Sequence, residues 1–178
     1  KGKGVFGCAI GSRALYEWED DNHGIAAYPL EYVNRPSIIA QIDNMVSINS
    51  CVSVDLYGQV AAESSGSRQI SGTGGQLDFL IGASASRGGK AFICMSSVYK
   101  DKEGVYHSRI RPQFDGDIIT SPRSQVYFLV TEYGAINLEG RSTWERAEGL
   151  ISIAHPDFRD MLIKEAQKRK IWRRSNKR

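Results

Sequence analysis

At 178 residues and 41% hydrophobic, the chain is long enough to bury one substantial core and too short to expect two. Its formal charge of +3 is unevenly placed: residues 164–178 hold eight Lys/Arg against the single acid Glu165, a local +7 that leaves the rest at −4. One mildly acidic domain over residues 1–163 with a basic tail over 164–178 is expected, and the lack of any apolar run near about 18 residues, or of a signal-peptide pattern, argues against a membrane partner.

From the amino end, residues 5–10 read as a strand, and Ser12 as the cap of a helix over 13–20 with Leu15 and Trp18 on one face. Arg35-Pro36 opens a short helix through 37–41. Residues 45–54 and 60–62 read as strands, a glycine run follows, and residues 77–85 carry a helical pattern. Strands are expected again at 91–95, 118–119 and 126–131, several apolar enough to be buried on both faces. Residues 101–107 are polar and turn-like, an exposed hairpin or an insertion. Ser142-Thr143-Trp144-Glu145 is a capping box, with Trp144, Ala147, Ile151 and Ala154 following at helical spacing. His155-Pro156-Asp157 interrupts that helix, and Pro156 starts a last one with Phe158, Met161 and Leu162 inward. Alternating strands and helices argue for an α/β fold.

The chemistry concentrates at Ser71-Gly72-Thr73-Gly74-Gly75-Gln76-Leu77-Asp78-Phe79. Three glycines in four residues let a backbone press against a ligand, and a helix that follows aims its dipole and unpaired N–H groups at an anion. A phosphate-bearing or thioester ligand suits such a loop; a tight structural turn is the plain alternative. Glu132 ends the apolar run 126–131, where open α/β sheets bind ligands, although pairing with an arginine or capping a turn explains it equally. Asn34 lies between a strand-like stretch and a helix start, placed either to bond a ligand oxygen or to cap a turn. Glu63, leading into the glycine run, is a partner for it or a solvated strand-end acid.

Gly2 to Gly7 matches G-x-G-x-x-G, but no strand precedes it and no helix follows, so a dinucleotide site is not supported. His23, His107 and His155 have no Cys or carboxylate at ligand spacing, so no metal is expected. Cys8, Cys51 and Cys94 are odd in number and scattered, which suits buried thiols in a reducing, cytoplasmic setting. The basic tail reads as a solvated helix end and not as a nucleic-acid site.

Taken in order, Asp43-Asn44-Met45-Val46-Ser47-Ile48-Asn49-Ser50, Asp55-Leu56-Tyr57-Gly58-Gln59-Val60, the glycine segment 69–79, Val130-Thr131-Glu132-Tyr133-Gly134 and His155-Pro156-Asp157-Phe158 resemble the acetyl-CoA hydrolase/transferase family. The likeness is greatest to its 4-hydroxybutyrate and butyryl-CoA:acetate CoA-transferases and runs from about Gly7 to Phe158. The resemblance implies the carboxyl-terminal of two α/β domains, with a mainly parallel sheet flanked by helices. It implies transfer of CoA between short-chain carboxylates through a glutamyl-CoA thioester. The nucleophilic glutamate belongs to an upstream motif not found here, so the chain by itself is expected to be inactive.

By the same resemblance Gly72, Thr73, Gly74 and Gly75 meet CoA, with Ser96 a weaker contact, while Asn34 and Glu132 support the missing glutamate. The implied partners are acyl-CoA, a carboxylate, the protein's own amino-terminal domain and further copies of itself. Coenzyme A is a substrate, and no tightly bound cofactor is implied. An acyl-CoA hydrolase and a non-catalytic binding or scaffold domain are the alternatives.

Overall fold

The structure, a computed structural model, describes residues 2–171. The chain opens with β1 (Gly4–Phe6), α1 (Arg13–Glu19), β2 (Ile25–Ala27), α2 (Leu30–Val33) and α3 (Pro36–Ile39). β1 and β2 pair in parallel, apart from every other strand. No residue from 2 to 38 is buried. The expected strand over 5–10 is therefore cut to three residues, Ser12 makes no side-chain cap bond, and Trp18 is 58% exposed, because this stretch has no buried interior of its own.

The body then runs through β3 (Val46–Ser50), β4 (Ser53–Asp55), β5 (Val60–Ala61) and a hairpin of β6 (Ser64–Ser65) and β7 (Arg68–Gln69). Next come α4 (Gln76–Ala85), β8 (Lys90–Cys94), a second hairpin of β9 (Val98–Lys100) and β10 (Tyr106–Ser108), and β11 (Ile110–Arg111). The chain closes with β12 (Phe128–Thr131), β13 (Gly134–Asn137), α5 (Thr143–Ser152) and α6 (Pro156–Lys168).

The principal sheet has the order β13-β12-β8-β3, with β3, β8 and β12 parallel and β13 antiparallel at its edge. A second sheet joins β4 in parallel to β11 and antiparallel to β5. The fold is α/β, as expected, but its strands are divided among small mixed sheets. The single strand expected over 45–54 breaks at Cys51 and Val52, since β3 pairs with β8 while β4 pairs with β5 and β11. Ile118 and Ile119 form no strand; each is 37% exposed, and it is Ser121 that bridges to Val60.

Helices α4, α5 and α6 bring Leu80, Ala83, Leu150 and Leu162 into one cluster with Ile93 and Leu129 of the sheet. Burying each such leucine contributes about 1.5–3 kcal/mol. The expected capping box is formed: Ser142 Oγ accepts from the Glu145 N–H, and Glu145 Oε2 accepts from the Ser142 N–H. Trp144 and Met161, expected inward, are 51% and 39% exposed, because Leu150 and Leu162 already fill the interior.

Helix α6 continues past the boundary drawn at 163/164, and Ala166 and Ile171 join the core beyond it. The part of the expected tail at 172–178 lies outside the described residues. Residues 101–107 form the turn of the β9–β10 hairpin and the start of β10, as the hairpin reading has it, with Asp101 Oδ2 2.6 Å from His107 Nε2. Cys8 is exposed and Cys51 and Cys94 half-buried, so the expected set of buried thiols is not formed as such.

Candidate functional site

The carboxyl-terminal end of α4 is pinned to the start of β3. Ser86 Oγ accepts from the Met45 N–H at 3.2 Å and donates to the Ile42 carbonyl, and the Lys90 N–H reaches the Met45 carbonyl. A ten-residue helix spans about 15 Å and a five-residue strand about 16 Å. Gly75, the residue before α4, therefore lies level with the carboxyl ends of β3, β8 and β12, the edge at which open α/β sheets take ligands.

Asn34 reaches this edge from the other side. It caps the end of α2, and after the extended Arg35 the next helix, α3, begins at Pro36, so the chain turns sharply there. A Cβ added to Gly75 would collide with the Asn34 side chain, so the two are in close contact. Gly74 has φ +54°, a conformation that favours glycine, while the space beside Gly72 and Gly74 is open. Gly72, Thr73 and Gly74 are exposed. Gly75 has no side chain with which to cap the helix, so the first-turn N–H groups of α4 have no side-chain cap. Gln76, buried behind them, donates to Ser121 Oγ at 3.1 Å and fixes the base of the turn.

A second cluster sits at the ends of β8 and β12. Glu132 accepts the Ser97 N–H at 2.8 Å and the Ser97 hydroxyl at 2.6 Å. Partial burial pulls the Glu132 carboxyl upward, but the Ser97 bonds and the field of His155 outweigh it, so it lies below its ordinary value. Thr131 Oγ1 donates to the Ile153 carbonyl at 2.6 Å, which draws the segment at 155–158 to this edge. Tyr133 then meets His155 edge-on at 5.5 Å and lies under the Arg159 guanidinium at 5.7 Å.

Ser97, fully buried, is the residue that sequence reasoning missed; its neighbour Ser96 is exposed and donates to the Val98 carbonyl. The alternation of sides past the end of β8 was the available signal. Asp55 takes the Tyr57 and Gln59 N–H groups and the Gln59 amide, so the Asp55 to Val60 motif is a structural turn. A cleft of about 550 Å³ lined by Tyr99, Arg109 and Phe158 includes neither Gly72 nor Glu132. No group of His, Cys, Asp and Glu able to hold a metal occurs among the described residues, and no described helix is long and apolar enough to cross a membrane.

A glycine loop and bare helix end beside an amide, at the carboxyl edge of parallel strands, define an α/β domain suited to an oxyanion or an anionic ligand. Residues 11–166 match the family described as the acetyl-CoA hydrolase/transferase C-terminal domain, and the chain belongs to that family. It is 57% identical, over 99% of its length, to the probable butyrate:acetyl-CoA coenzyme A-transferase of Syntrophomonas wolfei, covering 40% of that protein. It is 54% identical over 97% of its length to the butyryl-CoA:acetate CoA-transferase of Anaerostipes caccae, covering 39%. The crystal structure of RipA from Yersinia pestis superposes with a TM-score of 0.88 at 45% identity, over 96% of this chain and 38% of that one. The chain thus spans about two-fifths of the curated relatives it matches.

Proposed function

We propose that this chain is the carboxyl-terminal half of an enzyme that moves CoA between short-chain carboxylates, butyrate and acetate among them. An upstream half supplies the glutamate nucleophile. The observation that carries this reading is the approach of Asn34 to Gly75 at the uncapped start of α4, in a chain of this family. The glutamate carboxylate attacks the thioester carbonyl, and CoA leaves as the thiolate, giving an acyl anhydride. The thiolate then attacks the glutamyl carbonyl and releases the first carboxylate. The second carboxylate attacks the glutamyl thioester, and the returning thiolate takes the new acyl group.

Each attack builds negative charge on a carbonyl oxygen, and the Gly75 N–H and Asn34 Nδ2 are the donors we assign to it. Gly72, Thr73 and Gly74 line the approach of CoA, and exposed Ser96 is a further contact. Glu132, held ionised by Ser97, orients groups around the nucleophile. Coenzyme A is a substrate here, and no bound cofactor or metal enters the reaction. Self-association of the whole enzyme in the cytoplasm completes the reading.

The test is exchange of CoA between acetyl-CoA and butyrate by the full-length protein. Exchange that falls by about 10²–10³ in kcat in Asn34→Ala supports the assignment. Release of free CoA to water at the rate expected of exchange, with butyrate ignored, would establish a hydrolase instead.

A further inference from the structure

Glu63 follows β5 and is 4% exposed, yet its side chain has no hydrogen bond or ion pair among the described residues, and its Oε1 is sealed from solvent. The other acids of this region are provided for. Asp55 takes three donors, Asp117 takes Arg111 and the Gly66 N–H, and Glu132 takes Ser97 twice. A carboxylate buried without donors is unfavourable, and persists where a partner arrives or a function needs it.

The main-chain carbonyl of Glu63 is used twice. It accepts from the Ile70 N–H at 2.8 Å and from the Ser71 N–H at 3.2 Å, so the glycine loop starts from this residue. The antiparallel pairing of Ser53 with Ala61, continued by the Val52 N–H to the Ala61 carbonyl, runs this strand back toward the end of β3. Glu63 therefore lies at the carboxyl edge, one pivot away from the loop that faces the thioester.

We propose that Glu63 is a positioning residue: its carboxylate accepts a hydrogen bond from a donor carried by the upstream half, and so fixes the glycine loop relative to the nucleophile. This rests on the function proposed above. A donor on freely diffusing acyl-CoA fits less well, because Oε1 is closed to solvent while the glycine loop is open. A donor on the upstream half reaches Oε1 only by being enclosed together with Glu63 as the two halves fold.

The test uses the full-length enzyme carrying Glu63→Ala or Glu63→Gln. Glu63→Ala is expected to lower kcat by about 10–100-fold, the cost of misplacing a reacting group by about an ångström. The KM for acetyl-CoA stays within about threefold and the melting temperature within about 2 °C, less than a 1 kcal/mol change produces at this size. Glu63→Gln, which keeps an acceptor oxygen, is expected to recover part of that loss.

Unchanged kcat in Glu63→Ala would overturn the inference alone, as would a rise in KM at constant kcat, which would put the donor on the substrate. A fall in melting temperature shared by both variants and matching the lost activity would also overturn it, in favour of a structural role. Absence of CoA exchange in the unsubstituted enzyme would overturn the underlying reading and this inference with it.

Discussion

Residues 2–38 and residues 39–171 are built on opposite terms. The first stretch forms two strands, three short helices up to α3, and a regular set of backbone hydrogen bonds, yet buries none of its side chains; Val5, Tyr16, Trp18 and Leu30 are each about half exposed. The second buries a continuous cluster from Val54 to Ile171. The first stretch is ordered by local hydrogen bonds and by its contacts with α4, while only the second has an interior of its own. A two-stranded parallel pair is unusual in this position, because parallel strands are commonly covered on both faces. Under the proposed function the upstream half provides that cover.

The sharpest test of the contrast lies where the two regions touch. Gly75→Ala places a methyl against the Asn34 side chain, and in the full-length enzyme we expect kcat for CoA exchange to fall by about 10²–10³. The body should respond to large-to-small changes as a packed core does. Leu129→Ala, at a fully buried site, is expected to cost about 2–5 kcal/mol in denaturant unfolding.

A smaller effect is expected at the capping box, where Ser142→Ala should cost about 1 kcal/mol by the same measurement. Smallest of all, Trp18→Ser in this chain alone should change stability by no more than about 0.5 kcal/mol. A core-sized loss there would show that residues 2–38 already have their cover, and the contrast would break.

The Glu132 carboxyl gives a pH dependence whose sign follows from Ser97. A carboxylate held below its ordinary value contributes stability that is present above that value and lost as pH falls through the lowered one. Ser97→Ala removes the hydroxyl bond to Glu132 and leaves the main-chain N–H bond in place. The Glu132 titration, followed by NMR of its side chain, should move to higher pH, and the acid limb of enzyme activity with it.

Legibility in the sequence follows the same division. The α5 capping box and the α4 pattern were readable because their signals are local, a cap at fixed offset and a helical period. The break at Cys51 was not readable, since it depends on which distant strands claim β3 and β4. The polar hairpin of β6 and β7 carries no apolar alternation to announce it. At the site, the glycine loop was visible as composition, but its contact with Asn34, 41 positions away, was not. Nor did the sequence distinguish Ser96 from Ser97, whose difference is only which side of the chain each takes as it leaves β8.

The most direct measurement of the central claim is CoA exchange between acetyl-CoA and butyrate, assayed with this chain alone and with the upstream half of the same protein supplied in trans. The account predicts no exchange from the chain alone and exchange when both are present. Exchange by the chain alone would place the nucleophile within these residues and contradict the account, and so would no exchange from the two together while the uncut protein remains active.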